Sequence, residues 1–111
     1  MLEVEEVWSP WLTVIRPLAS LPSEAECESL FRLGRKILDS GRSGIVVNLR
    51  GVPSFSEDLA ATFLYLSAYA RERNARVLFC EANLRWSEML GHVAMIQFPT
   101  EQEAVRACRD R

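Results

Sequence analysis

Residues 12–19, Leu12-Thr13-Val14-Ile15-Arg16-Pro17-Leu18-Ala19, are dense in β-branched and apolar side chains and predict a strand. Pro17 confines that strand to a sheet edge or places it at a strand end, because proline cannot donate to a ladder. A weaker strand signal precedes it, around Val4 to Val7. Ser23-Glu24-Ala25-Glu26 has the Ser-x-x-Glu form of a capping box and starts a helix. In that helix Cys27, Leu30, Phe31, Gly34, Ile37 and Leu38 recur at spacings of three and four and form one apolar stripe. Asp39-Ser40-Gly41 ends it.

The run Ile45-Val46-Val47 does not alternate, which predicts a strand covered on both faces. A broadly apolar helix follows from Leu59 to about Ala70, with Leu59, Phe63, Leu66 and Ala70 in line. Arg71-Glu72-Arg73-Asn74 breaks the pattern, and residues 75–80 read as another core strand. A short helix is expected from Asn83 to Leu90 with Gly91 just past its end, then a last strand over Val93-Ala94-Met95-Ile96. Thr100-Glu101-Gln102-Glu103 repeats the capping-box form and opens a terminal helix carrying Ala104, Val105, Ala107 and Cys108. Strands alternating with helices long enough for crossovers predict an α/β sandwich: a mixed, mostly parallel sheet of about four to five strands with about four helices.

With 111 residues, 49% of them hydrophobic, the chain has the material for one core, so residues 1–111 are expected to form one domain. The net charge of −2, with acids and bases interleaved, leaves no basic stripe for a phosphate backbone and argues against nucleic acid. The acidic start Met1-Leu2-Glu3-Val4-Glu5-Glu6 is unlike a secretory signal, and no apolar run approaches the ~18 residues of a membrane span. A cytoplasmic protein without direct membrane insertion is the expectation. Cys27, Cys80 and Cys108 are widely spaced and His92 is the single histidine, a set that suits neither a zinc site nor a disulfide framework. No cofactor-binding or catalytic motif occurs, and an enzyme would have to recruit Cys80 or His92 through the fold alone.

The most chemically pointed segment is the strand-to-helix junction over residues 44–59, where Ser54 and Ser56 are followed by Glu57 and Asp58. Either serine could cap the helix, since Ser54-x-x-Glu57 is also a capping box. Acids in a first helical turn stabilise it by ~0.3–1 kcal/mol each through the macrodipole. Several aromatics, among them Trp11 and Phe55, fall where the pattern does not obviously bury them, and aromatics are enriched in interface hot spots.

The order Asn48-Leu49-Arg50-Gly51-Val52, long helix, Arg71-Glu72-Arg73-Asn74-Ala75-Arg76-Val77-Leu78, Met89-Leu90-Gly91-His92-Val93 and Thr100-Glu101-Gln102-Glu103-Ala104 resembles the STAS domain family of anti-sigma factor antagonists. The likeness runs from Gly44 to about Arg106 and extends to the whole chain if the first strand and helix are counted. It implies the STAS-like version of the sandwich and a bacterial, non-enzymatic role in partner switching. Such domains resemble one another in a strand ending Asp-Leu-Ser-Gly-Val and in a loop ending Asp-Ser-Ser-Gly-Leu, whose second serine accepts phosphate. With Gly51-Val52 in register, Ser56 takes the place of the loop's Asp, Glu57 its first Ser, Asp58 the usual acceptor and Leu59 the Gly. The resemblance therefore implies a partner-binding loop of Pro53, Ser54, Phe55, Ser56, Glu57 and Asp58, with Thr62 on the following helix, that is not phosphorylated at the usual position. Ser56 or Ser54 becomes an acceptor only if the loop shifts by one or two residues. The implied partner is a serine-kinase anti-sigma factor. The alternative is a structural STAS subunit, seated on the ATPase of a lipid-transport ABC system or in a stressosome-type scaffold, and a homodimer is open under either.

Overall fold

A computed structural model describes residues 1–109. The elements run β1 (Leu2–Trp8), β2 (Leu12–Ala19), α1 (Glu24–Asp39), β3 (Gly44–Asn48), α2 (Glu57–Glu72), β4 (Arg76–Cys80), α3 (Leu84–His92), β5 (Gln97–Phe98) and α4 (Glu101–Arg109). The five strands lie in the order in which the chain makes them, with β1 antiparallel to β2 and the rest parallel. Because the sheet grows in one direction, right-handed crossovers put α1, α2 and α3 on the same face. Trp86 and Leu90 of α3 share a core there with Leu30 and Ile37 of α1 and Phe63 and Leu66 of α2. The opposite face packs Leu12, Val14, Val46 and Leu78 against Ala104 and Cys108 of α4.

β3 is the middle strand, and the unalternating run expected to be covered twice is: Ile45 and Val47 enter the three-helix core while Val46 enters the other. Pro17 sits in an interior strand. Parallel pairing of β2 with β3 covers only Leu12 to Ile15, so Pro17 lies past its end. The N–H of Ala19, two residues on and pointing the same way, donates to the Gly51 carbonyl at 3.1 Å. Proline thus occupies a strand-end position where no ladder donor is required.

Three local expectations change. β1 pairs over its full seven residues, although its sequence signal is weak, because Leu2 and Val4 pack against the core while Glu3 and Glu5 face outward. The apolar run Val93-Ala94-Met95-Ile96 is not a strand; β5 is the dipeptide Gln97–Phe98. Gly91 is inside α3 rather than past its end. The left-handed residue that stops the helix is Ala94 (φ 57°), with the Ala94 N–H on the Gly91 carbonyl and the Met95 N–H on the Leu90 carbonyl. These bonds make a Schellman motif. Asn74 (φ 56°) does the same at the end of α2.

Candidate functional site

The junction after β3 is shaped by short-range bonds. Asn48 Oδ1 accepts the Arg50 N–H at 2.9 Å, turning the chain out of the strand, and the Val52 N–H closes on the Leu49 carbonyl at 3.0 Å. Gly51 is required by close approach, since a Cβ there would lie 2.6 Å from the Pro17 carbonyl oxygen. Ser56, not Ser54, caps α2: its Oγ accepts the Leu59 N–H at 3.2 Å and its carbonyl accepts the Ala60 N–H at 2.9 Å. Ser54 is left exposed in the loop.

α3 holds this loop in place. Asn83 has two roles: Oδ1 caps α3 by accepting the Trp86 N–H at 3.0 Å, and Nδ2 donates to the Pro53 carbonyl at 2.7 Å. The Phe55 ring packs on the fully buried Trp86 indole with centroids 5.0 Å apart, and the Arg85 guanidinium stands 5.0 Å from the Phe55 centroid. Offset aromatic contact and a cation on a ring each stabilise such an arrangement by about 0.5–1.5 kcal/mol. Sequence reasoning missed Asn83 and Arg85 as loop supports, although the Asn83 capping position was legible.

Of the residues read from sequence, Pro53, Ser54, Glu57 and Asp58 are exposed, and Phe55 and Ser56 are half-buried. Among the described residues neither the Glu57 nor the Asp58 carboxylate has a hydrogen-bond or ion-pair partner. Thr62 stands apart from them. It is 6% exposed, its hydroxyl donates to the Asp58 carbonyl at 2.9 Å, and it faces Cys27 of α1. A groove of about 670 Å³ opens between α1 and α2, with Asp58 on its α2 wall and the buried Cys27 and Thr62 at its floor.

A second concavity, of about 650 Å³, lies at the C-terminal ends of β2 and β3, where α/β sheets often bind ligands. Its centre is a closed polar network. Arg16 donates through Nε and Nη2 to both oxygens of Glu101 at 2.8 and 2.7 Å and through Nη1 to Glu5 at 2.7 Å. Asn48 Nδ2 divides its two protons between Glu81 at 3.1 Å and Glu101 at 3.0 Å. Glu81 also accepts the Glu101 N–H at 3.2 Å, which seats the first turn of α4. The Arg16 bonds, with help from Asn48, hold the Glu101 carboxyl below the usual range, and Glu101 in turn raises the Arg16 guanidinium.

The residues weighed for catalysis are poorly set for it. Burial pushes the Cys80 thiol up to about 12, and its Sγ points to the Val47 carbonyl at 3.7 Å. Burial also raises Cys27. A protonated thiol is a weak nucleophile. His92 is exposed in the last turn of α3. Among the described residues no cluster of three or more His, Cys, Asp or Glu side chains is arranged to hold a metal ion, and no helix is long and apolar enough to cross a membrane.

Five strands in sequential order, the first antiparallel, three helices on one face and one on the other define the α/β sandwich of STAS domains. Comparison with solved structures gives the same answer. The chain superimposes on the Thermotoga maritima protein TM1081 with a TM-score of 0.82 at 14% identity, over 96% of this chain and 94% of that one. It matches the anti-sigma factor antagonist SpoIIAA in its unphosphorylated form with a TM-score of 0.79 at 14% identity, over 98% of each chain. A third match is to the murine Solute Carrier 26 family member A9 anion transporter, with a TM-score of 0.70 at 12% identity, over 90% of this chain and 18% of that chain. At these identities the likeness is one of fold: the chain has the SpoIIAA-like fold of the anti-sigma factor antagonists. No protein-family profile and no curated protein matches the sequence.

Proposed function

We propose that this chain is a non-enzymatic, cytoplasmic regulatory module of the anti-sigma factor antagonist type. In this reading it docks a protein partner through residues 53–58 and is fixed in one charge state at the position where its relatives are switched. SpoIIAA is described in both phosphorylated and unphosphorylated forms. In register, the acceptor position here is Asp58, an exposed acid one residue into the first turn of α2. A carboxylate cannot be esterified by a serine kinase, and its charge of about −1 falls short of the roughly −1.5 to −2 of a phosphoserine.

The observation that carries the reading is the setting of the two acids. They stand exposed, without partners among the described residues, at the end of a loop that Asn83 and Phe55 tie to α3, an arrangement that suits recognition by a charged partner. The Ser56 hydroxyl is engaged as a helix cap, which works against its use as a phosphoacceptor. Affinity capture from the native host, comparing wild type with a Glu57→Lys/Asp58→Lys variant of unchanged melting temperature, tests the docking edge. The expected result is a kinase-type anti-sigma factor retained by wild type and lost by the variant; equal retention contradicts it.

A second reading is favoured by the transporter match, in which this fold forms a small part of a much longer chain. There the module is a structural subunit of a larger assembly, such as one built on a transport ATPase. Recovery of an ATPase in a complex indifferent to the two charge reversals supports that reading over the first.

A further inference from the structure

The groove between α1 and α2 has a charge order that neither the fold nor the loop requires. α1 and α2 run side by side in the same direction, packed so closely that a Cβ on Gly34 would meet Leu66 Cδ2 at 2.3 Å. On the solvent side of that seam each helix contributes one stripe at spacings of three and four. The α1 stripe extends from Glu24 to Arg35, about 16 Å at 1.5 Å per residue. Glu24 and Glu28 face Asp58 at the end where both helices begin, and Arg32 and Arg35 lie at the far end. Between the two charged ends the floor is Cys27, Phe31, Ala61 and Thr62. The groove is thus long enough for about three helical turns, apolar along its length, acidic at one end and basic at the other.

We propose that this groove receives an amphipathic helix of the partner protein, laid antiparallel to α1 and α2. Its first turn would be acidic, its last turn basic, and apolar residues at spacings of three and four would line the side between them. The antiparallel direction places the negative end of the partner's dipole beside the positive ends of α1 and α2. The same direction sets a basic last turn against Glu24, Glu28 and Asp58 and an acidic first turn against Arg32 and Arg35, so dipole and side-chain charge select one orientation. The inference rests on the reading of the chain as a protein-interaction module. It gives Asp58 a second role, as the acidic wall of the groove as well as the end of the loop.

The test uses the full chain and two synthetic helical peptides of about twelve residues with identical composition. One has the acidic first turn and basic last turn; the other has the two turns exchanged. Amide shifts are followed by heteronuclear NMR. The expected result is saturable shifts at Cys27, Phe31, Ala61 and Tyr65 with the first peptide, binding about tenfold tighter than the second. A Glu28→Lys/Asp58→Lys variant should narrow or reverse that preference, and Ala61→Trp, which fills the floor, should abolish the shifts. Absence of saturable groove shifts, or equal affinity for the two peptides, overturns the proposal without any reliance on the variants. Shifts confined to residues 53–56 and 83–85 also overturn it, while leaving the docking role of the loop intact. Loss of docking at the loop with groove shifts retained marks failure of the functional reading instead.

Discussion

The strand-end crevice and the junction at residues 53–58 lie at the same edge of the sheet and are both rich in carboxylates, yet they are built in opposite ways. At the centre of the crevice the charges answer one another: Glu101 by Arg16 and Asn48, Arg16 by two carboxylates, Glu81 by Asn48 and the first N–H of α4. At the junction the backbone is fixed and the charges are left facing solvent. A polar cluster with a perturbed carboxylate at the ends of parallel strands resembles an active site, but here its groups are engaged in holding α4 to the sheet. The exposed acids of the first turn of α2, which have no partner among the described residues, are the ones open to another molecule.

The sharpest way to break that contrast is to open the crevice. Asn48→Asp sets a third carboxylate against Glu81 and Glu101 and removes the two Nδ2 donors. A loss of about 2–3 kcal/mol at neutral pH is expected from urea unfolding. Like-charge crowding raises the folded-state pKa of the new carboxyl, so the loss is full above that raised value and shrinks as pH falls through it. Equal destabilisation at pH 5 and pH 8 would show that charge crowding is not the cause.

Phe55→Ala tests the loop anchor. Removing a half-buried ring from Trp86 should cost about 1–2 kcal/mol and raise amide exchange over residues 53–58 while leaving β3 protected. Asn83→Asp refines the same point, because it keeps the α3 cap but loses the donor to Pro53. Faster exchange in the loop with an unchanged α3 is expected.

Glu101→Gln is a milder probe. The Glu101 carboxyl is held below its usual range in the folded protein, so its contribution is present above the unfolded value and is lost as pH falls through the lower folded one. Wild type should lose about 1 kcal/mol relative to the variant on acidification below roughly pH 4, a modest figure because Arg16 is partly open to solvent. A wild-type to variant difference that does not change with pH would contradict the assignment. Glu57→Gln and Asp58→Asn should change stability least, by ~0.3–1 kcal/mol each from the helix dipole, while weakening partner binding.

Much of this was legible in the chain. The capping box at Ser23, the doubly covered Ile45-Val46-Val47 and the three-and-four spacing of α1 follow from local chemistry and appear as expected, while at Thr100 the side chain caps α4 and the Glu103 carboxylate accepts from the Thr100 hydroxyl rather than from its backbone N–H. The end of α3 was misplaced because Gly91 and the apolar residues after it imitate a glycine stop and a strand, whereas Ala94 supplies the left-handed turn. Ser54 and Ser56 could not be separated in sequence, since both satisfy capping spacing; the anchoring of Phe55 and Pro53 on α3 settles which one caps α2. The crevice left no sequence signal at all, because Arg16 and Glu101 stand 85 positions apart and meet only through the order of the strands.

The central claim, a docking edge fixed in one state, is tested most directly by intact-mass spectrometry of the wild-type chain and an Asp58→Ser variant, each recovered from the native host. The account predicts no phosphate on wild type and phosphate on the variant at the restored hydroxyl. Stoichiometric phosphate on wild type at Ser54 or Ser56 would contradict it.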